Sequence, residues 1–195
     1  MITVQKEKLR KEILNIRNNM KKSEVEGLSE KIISRLVNMD IFKESKNVMI
    51  YLSFKNEVDT YKLLSHCKRL KKNVIVPFTV KEKKEIIPTL LKDQEKELVK
   101  SYYGYMEPSK EYLRPVNKED IDIVIVPGVV FDERCCRIGF GGGYYDRFFS
   151  DVKDKVIKVG IAYEFQIVER VPVEEFDVPL DYVITEKRII RKVSG

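Results

Sequence analysis

Two parts of this chain have the order strand, helix, strand, and this is the feature that most restricts the fold. The first unit consists of segments 48–52, 60–72 and 74–76, and the second of 121–126, 144–149 and 156–161. Each strand segment is a short apolar run, and the helix at 60–72 has Leu63, Cys67 and Leu70 on one face. Because parallel strands need a crossover connection, repeated β-α-β units predict an α/β domain with a mainly parallel sheet.

The remaining segments are predicted to join these units in a single domain, 1–195, with no internal repeat, low-complexity tract or linker. Apolar residues at helical spacing predict two amphipathic helices before the first strand, and Ser23 to Glu26 has the form of a capping box for the second helix. Segments 78–80 and 86–91 predict a hairpin, 102–115 an irregular loop, and 182–184 and 189–190 two final strands.

The net charge of +6 is unevenly distributed along the chain. Residues 1–75 contain 17 Lys and Arg against 9 Asp and Glu, and the rest contain 20 against 22. The excess is compatible with an anionic ligand, or with nucleic acid bound through its phosphates. The lysines are mostly scattered singly among glutamates, with no basic run interleaved with aromatic residues, which favours a solvated lysine-rich surface.

No apolar run approaches 18 residues, and the first residues are charged and amphipathic, unlike a secretory signal. We therefore expect a cytoplasmic protein with no membrane partner. Cys67, Cys135 and Cys136 fit neither an even disulfide framework nor a C-x-x-C spacing, so we expect reduced, structural thiols. The sequence carries no indication of an oligomeric state.

A glycine-rich loop follows the strand at 121–126. Residues 137–147 read R-I-G-F-G-G-G-Y-Y-D-R and contain four of the nine glycines. Residues without Cβ reach positive φ and let successive N–H groups converge on an anion, and a helix that begins at Tyr144 adds its positive dipole end. The pattern matches neither a Walker loop nor G-x-G-x-x-G. It indicates a phosphate-binding loop, with a flexible surface loop as the alternative, at the carboxyl end of a strand where α/β sheets bind ligands.

Four segments together resemble the 5-formyltetrahydrofolate cyclo-ligase family, also called methenyltetrahydrofolate synthetases. They are P-G-V-V-F-D-E-R-C-C-R-I-G-F-G-G-G-Y-Y-D-R at 127–147, K-E-K-L-R at 6–10, Y-L-S-F-K-N-E-V-D-T at 51–60 and D-V-P-L-D-Y-V-I-T-E at 177–186. They span the chain in the family's order. Two positions depart from the family pattern: Cys135 stands where Gly is usual, which puts the turn before the glycine loop in doubt, and Ile138 stands where Leu is usual.

The resemblance implies a three-layer α/β/α sandwich with a mainly parallel sheet, Rossmann-like and similar to sugar-phosphate isomerases and CoA transferases. It implies ATP-dependent cyclisation of 5-formyltetrahydrofolate to 5,10-methenyltetrahydrofolate through phosphorylation of the formyl oxygen, with release of ADP and phosphate and with Mg²⁺ as cofactor. Two other functions stay open. A sugar-phosphate isomerase-like enzyme would use the loop for a substrate phosphate, and a basic module would bind nucleic acid in a salt-sensitive way.

The resemblance also implies roles for particular residues. The implied catalytic residues are Arg137 and Lys6. The implied ATP-binding residues are Lys6, Arg10, Arg137, Ile138, Gly139, Phe140, Gly141, Gly142, Gly143, Tyr144 and Tyr145. Asp146 and Asp177 would hold the metal, because carboxylate oxygens are hard ligands. Glu57 would accept hydrogen bonds from the pterin ring, with Leu52, Phe140 and Tyr144 as apolar and aromatic walls.

Lys6, Arg10 and Arg17 share one stripe of the first predicted helix, at spacings of four and seven. The first two match the family's ATP-contacting pair, and we expect Arg17 to be a surface residue. Lys6 and Arg137 are not part of the apolar periodicity, so we expect their replacement to change stability by no more than about 0.5 kcal/mol.

Overall fold

A computed structural model describes residues 2–101, 104–152 and 156–193 of the chain. Its helices are α1 (Ile2–Asn18), α2 (Lys22–Val37), α3 (Asp40–Glu44), α4 (Thr60–Arg69), α5 (Gln94–Glu97) and α6 (Tyr144–Ser150). Its strands are β1 (Asn47–Ile50), β2 (Asn73–Val80), β3 (Glu85–Leu91), β4 (Leu98–Lys100), β5 (Met106–Pro108), β6 (Ile123–Val126), β7 (Val130–Asp132), β8 (Arg137–Ile138), β9 (Ile157–Ile161), β10 (Ile167–Val168), β11 (Tyr182–Ile184) and β12 (Ile189–Arg191).

The central sheet has seven strands in the order β12-β11-β9-β6-β1-β2-β3. The inner pairs β11-β9, β9-β6, β6-β1 and β1-β2 are parallel, whereas the edge strands β3 and β12 pair antiparallel with their neighbours. The predicted mainly parallel sheet is therefore confirmed.

Helices cover both faces of this sheet. Alternate residues of β1 point to opposite sides, so Val48 and Ile50 pack in the cluster that includes α2 and α4, and Met49 packs in the cluster that includes Phe148 and Phe149 of α6. All five side chains are at most 6% exposed. This burial on two faces explains why the strands are continuous apolar runs, and it confirms the three-layer α/β/α sandwich.

The strands β1 and β6 are neighbours from which the chain leaves in opposite directions. It passes from β1 through α4 to β2 on one side, and from β6 through α6 to β9 on the other. The loops that follow β1 and β6 therefore diverge and leave a crevice at the carboxyl ends of the two strands. Ligands bind at this position in doubly wound sheets.

A smaller sheet, β10-β7-β8, lies beside the crevice and supports α1. Ile13 of α1 packs with Val129, Val130 and Ile138 in a separate apolar cluster. The sequence did not predict these strands, because two or three residues are too few for a periodic pattern. Their effect is to hold the first helix against the segment that carries the glycine loop.

The structure confirms the predicted hairpin of 78–80 with 86–91 and corrects the separation of 78–80 from the strand before it. Segments 74–76 and 78–80 belong to one strand, β2, which pairs with β3 from Val74 to Val80. Pro77 lies opposite Pro88, and the Pro88 carbonyl accepts a hydrogen bond from the N–H of Val116. The peptide groups of this pair therefore point away from the β2-β3 ladder, and neither proline interrupts it.

Two further local predictions were wrong. The capping contact of α2 lies two residues earlier than Ser23, since the Lys21 N–H donates to Glu24 Oε2 at 2.7 Å. The predicted loop at 102–115 contains β5, which pairs with β4, and its residues 102 and 103 lie outside the described residues. Among the residues that are described, no helix is long and apolar enough to cross a membrane.

Candidate functional site

A cavity of about 430 Å³ lies at the carboxyl end of β6, between α1, the glycine loop and segment 174–177. Its volume is that of a small-molecule site. The predicted residues that line it are Lys6, Arg10, Arg137, Ile138, Gly139, Phe140, Gly141, Gly142, Gly143, Tyr144, Tyr145, Asp146 and Asp177. Leu52 and Glu57 are the predicted site residues that do not line it; both are buried, in the segment after β1.

The glycine loop has the backbone conformation that its sequence predicts. Gly141 and Gly143 have φ of 96° and 64°, which a residue with a Cβ adopts only with strain. Gly143 caps α6, which begins at Tyr144 as predicted. Arg10 of α1 donates from Nε to the Gly139 carbonyl at 2.9 Å, so the first helix fastens one end of the loop.

Lys6 is 9% exposed and is held by two carboxylates. Its Nζ lies 2.5 Å from Asp177 Oδ2 and 2.8 Å from Glu174 Oε2. Burial alone would lower the pKa of Lys6, but hydrogen bonds and charge from Asp177 and Glu174 raise it above its ordinary value. The ammonium group is therefore charged and, without a ligand, neutralised.

Arg137 is 7% exposed and is oriented by two contacts. It donates from Nη2 to Asp146 Oδ1 at 3.0 Å and from Nη1 to the Val178 carbonyl at 2.8 Å. The premise that Lys6 and Arg137 are surface-like is wrong, because each is a buried cation paired with a carboxylate, and we expect its replacement to lower stability.

In the turn before Arg137, the residue that departs from the family pattern has a backbone conformation that favours glycine. Cys135 has φ of 61°, the left-handed conformation that glycine adopts without strain. Asp132 stabilises the turn, since its Oδ1 accepts from the N–H groups of Arg134 and Cys136 at 3.0 and 2.9 Å. The three cysteines are free thiols, as predicted.

The cavity has a small excess of negative charge. Its charged side chains are Lys6, Arg10 and Arg137 against Glu7, Asp146, Glu174 and Asp177, which is a formal net charge of −1. Within the described ranges, no group of three or more His, Cys, Asp or Glu could hold a metal ion by itself. The two predicted ligands, Asp146 and Asp177, nevertheless fit Mg²⁺, which often takes one or two carboxylates together with phosphate oxygens and water.

A second set of polar groups lies in the interior, next to the cavity. Glu57 is 8% exposed, and its Oε2 accepts from the N–H of Phe54 at 2.8 Å. Burial raises the pKa of the Glu57 carboxyl, although Arg17 and the Phe54 N–H partly oppose this. Leu52, also 8% exposed, belongs to the apolar cluster on the α2 and α4 side of the sheet.

Arg17 was predicted as a surface residue, and this prediction was wrong. Its side chain is 3% exposed, and its Nη1 donates to the Gly128 carbonyl at 3.5 Å. The guanidinium carbon lies 5.4 Å from the centre of the Phe140 ring. Its spacing in the sequence could have indicated a place in the site, because Arg17 lies on the same stripe of the helix as Lys6 and Arg10.

Tyr145 connects the two sets of groups. Its side chain lines the cavity, and its hydroxyl is buried without a hydrogen-bond partner among the described residues. Burial raises the pKa of Tyr145, the charge of Glu57 adds to the shift, and Arg137 opposes it. An unpartnered buried hydroxyl next to a cavity is suited to a ligand's polar atom.

The family model that matches this chain is that of the 5-formyltetrahydrofolate cyclo-ligase family, over residues 2–186. The chain belongs to the 5-formyltetrahydrofolate cyclo-ligase family. Among relatives of this family, the 5-formyltetrahydrofolate cyclo-ligase of Haemophilus influenzae is 30% identical over 92% of this chain and 97% of its own length.

Solved structures of cyclo-ligase relatives have the same fold. The NMR structure of Aquifex aeolicus 5,10-methenyltetrahydrofolate synthetase is 40% identical, with a TM-score of 0.84 over 97% of this chain and 94% of that one. A 5,10-methenyltetrahydrofolate synthetase from Mycoplasma pneumoniae is 29% identical, with a TM-score of 0.75 over 93% and 98%. This family membership disfavours both alternatives, a sugar-phosphate isomerase and a nucleic-acid-binding module.

Proposed function

We propose that this protein is an enzyme that cyclises 5-formyltetrahydrofolate to 5,10-methenyltetrahydrofolate with ATP as co-substrate, releasing ADP and phosphate. Besides the family, one observation carries the proposal: Tyr145 lines the cavity that contains Lys6 and Arg137, and its hydroxyl is within electrostatic reach of the buried Glu57. Tyr145 thus lies between the cavity that contains Lys6 and Arg137 and the buried carboxylate of Glu57, and a reaction between ATP and a folate requires two such adjacent binding regions. A cytoplasmic location stays a prediction.

The first step transfers the γ-phosphoryl group of ATP to the formyl oxygen. This oxygen attacks phosphorus, the bond to the β,γ-bridging oxygen breaks, and ADP leaves. Phosphoryl transfer depends mainly on orientation and on positive charge around the phosphoryl oxygens. Arg137, Lys6 and the N–H groups of the glycine loop would supply that charge, with Lys6 exchanging Glu174 and Asp177 for phosphate.

The second step closes the ring. The nitrogen at position 10 attacks the formyl carbon and loses its proton to solvent, and the carbon–oxygen bond breaks, so that phosphate leaves with the former formyl oxygen. Glu57 would orient the pteridine by accepting hydrogen bonds from ring N–H groups, and Leu52, Phe140 and Tyr144 would form the walls around it.

Mg²⁺ fits the proposal because the cavity is formally negative before the triphosphate binds. Asp146 and Asp177 would hold the ion. When bound, it would supply positive charge to the phosphate oxygens of ATP. Release of Lys6 from Asp177, and of Arg137 from Asp146, would leave both the cations and the carboxylates free for these contacts.

The test is a spectrophotometric assay of 5,10-methenyltetrahydrofolate formation from 5-formyltetrahydrofolate. We expect product with ATP and Mg²⁺ together, and no product without ATP or after chelation of the metal. ADP and phosphate should each form in a 1:1 ratio with product. Turnover that is independent of ATP, or hydrolysis of ATP without cyclised product, would contradict the proposed reaction.

A further inference from the structure

Segment 174–177 forms a turn at the cavity, and the carboxylates of this turn hold the Lys6 side chain. The Asp177 N–H donates to the Glu174 carbonyl at 3.0 Å, and the Glu174 N–H donates to Asp177 Oδ2 at 2.8 Å. These two bonds close the turn without any contribution from the Glu174 side chain. Lys6 Nζ donates to both carboxylates and lies 5.9 Å from the centre of the Phe176 ring.

The two carboxylates that hold Lys6 are not equivalent. The Asp177 side chain is 15% exposed, its Oδ2 also accepts the Glu174 N–H, and under the proposed function it holds Mg²⁺. The Glu174 side chain is 33% exposed, and among the described residues Lys6 is the one group to which its carboxylate is bonded. If a ligand took Lys6 from both, Asp177 would keep partners, whereas the Glu174 carboxylate would have only solvent.

A triphosphate bound to Lys6 would bring like charges together. Glu174 and Lys6 both line the cavity, and the Glu174 carboxylate lies 2.8 Å from Nζ, so phosphate oxygens that pair with Nζ would approach this carboxylate. The repulsion between the two anions and the loss of the ion pair both oppose binding of the nucleotide. Because backbone bonds close the turn, only the Glu174 side chain has to move away.

We propose that Glu174 is a positioning residue that competes with the nucleotide for Lys6. Its carboxylate holds the ammonium group at the cavity when no nucleotide is bound, and it lowers the affinity for ATP and for ADP alike. The return of the carboxylate to Lys6 after the reaction therefore favours the release of ADP. This inference rests on the proposed function and extends it from catalysis to nucleotide exchange.

The experiment measures binding of MgATP and of MgADP by calorimetry, without folate, to the full chain and its variants. Glu174→Gln keeps the size of the side chain and removes its charge, whereas Glu174→Asp keeps the charge. Glu175→Gln is the matched control, because it makes the same change of charge one residue away, at an exposed side chain that does not line the cavity.

We expect Glu174→Gln to bind MgATP and MgADP more tightly than wild type, on the order of fivefold, because an ion pair with one partly exposed partner is of modest strength. The gain should be larger for ATP in the presence of a chelator, since ATP without Mg²⁺ carries about two more negative charges. Turnover assays of Glu174→Gln should show a lower KM for ATP. Glu174→Asp and Glu175→Gln should bind both nucleotides within about twofold of wild type.

Unchanged or weaker nucleotide binding by Glu174→Gln would overturn the proposal, since Glu174 would then only orient Lys6. An equal gain in Glu175→Gln would overturn it as well, because the gain would then come from the overall charge. Thermal unfolding of each variant accompanies the titrations, and Glu174→Ala tests the same gain if Glu174→Gln fails to fold. Failure of the wild-type protein to bind ATP or to form 5,10-methenyltetrahydrofolate would instead contradict the proposed function, so the two failures are distinguishable.

Discussion

The two halves of the candidate site bury charge in opposite ways. In the phosphate half, which consists of Lys6, Arg137 and the glycine loop, each cation is paired with a carboxylate at 3.0 Å or less. In the folate half, which consists of Glu57, Arg17 and Tyr145, Arg17 Nε and the Tyr145 hydroxyl are buried and have no partner among the described residues.

This difference indicates what each half requires of its ligand. Under the proposed function, phosphate oxygens would replace the carboxylates that pair with Lys6 and Arg137. The folate half has no such substitute, so a ligand must provide the missing acceptors and donors. We therefore expect variants of the phosphate half to affect turnover and stability together, and variants of the folate half to affect binding more than stability.

The largest effect is expected from Arg137→Ala. Removing a charge directed at the transferring phosphoryl group should lower kcat by a factor on the order of 10² to 10³. The loss of a buried ion-pair partner should also lower the free energy of unfolding by about 3 kcal/mol. The measurements are turnover at saturating MgATP and chemical denaturation.

Arg134→Ala is the matched control for Arg137→Ala. Arg134 lies in the same β7–β8 hairpin and pairs at 2.6 Å with the fully buried Asp132, but it does not line the cavity. The Arg134→Ala variant should have a lower free energy of unfolding and an unchanged kcat. If kcat of Arg137→Ala equalled that of Arg134→Ala, Arg137 would not belong to the phosphate half.

Glu57→Gln should weaken folate binding by about 1.5–3 kcal/mol, because a charged acceptor becomes a neutral amide. Affinity for ATP should not change. The sign of the stability effect follows from the pKa of Glu57, which is raised in the folded protein. Such a group stabilises the fold below its unfolded pKa and loses that contribution as pH rises through its folded pKa, so the stability of Glu57→Gln relative to wild type should increase with pH.

Glu97→Gln is the control for Glu57→Gln. We expect it to have the opposite effect on stability. Burial would raise the pKa of Glu97, but Arg114, 2.9 Å away, and backbone N–H groups lower it overall. Its contribution to stability is present above the unfolded pKa and is lost as pH falls through the folded pKa. Glu97→Gln should therefore be less stable than wild type at neutral pH and bind folate normally. If the stability of both variants relative to wild type changed in the same direction with pH, the environments assigned to Glu57 and Glu97 would be wrong.

Lys6→Met should raise KM for ATP on the order of tenfold, with a smaller change in kcat, and lower stability by about 2 kcal/mol at neutral pH. The pKa of Lys6 is raised in the folded protein, so this stabilisation is complete below the unfolded pKa and is lost as pH rises through the folded value. The stability difference should therefore shrink above about pH 10.4. Lys8→Met, on the exposed side of α1, should match wild type throughout.

The sequence predicted the phosphate half more completely than the folate half. The glycine loop, Arg137 and Asp146 are contiguous, so a single local pattern identified them, and Lys6 and Arg10 followed from helical spacing. Arg17 lies on the same stripe as Lys6 but becomes buried only because Gly128 and Phe140, more than 100 residues later, fold over it. Such burial depends on tertiary contacts that spacing along the chain does not encode.

Prediction of the fold was limited in the same way, because some of its strands depend on contacts between distant segments. The inner strands were predicted because burial on both faces makes them continuous apolar runs. Segments 74–76 and 78–80 were predicted as separate, and only pairing with β3 reveals that they form one strand through Pro77, whose peptide group faces away from the ladder. The sheet β10-β7-β8 was missed because its strands have two or three residues each, although it supports α1 at the cavity.

The smallest effect concerns Cys135, whose turn precedes Arg137 and so supports the phosphate half. At most positions glycine is less stable than alanine, by about 0.5–1 kcal/mol. At Cys135 the backbone φ is 61°, and a residue with a Cβ in this conformation costs about 1–2 kcal/mol. Both variants lose the buried thiol, so Cys135→Gly should equal or exceed Cys135→Ala in stability, by up to about 1 kcal/mol. Chemical denaturation of the two variants checks the order, and alanine clearly above glycine would show that the turn does not require the left-handed conformation.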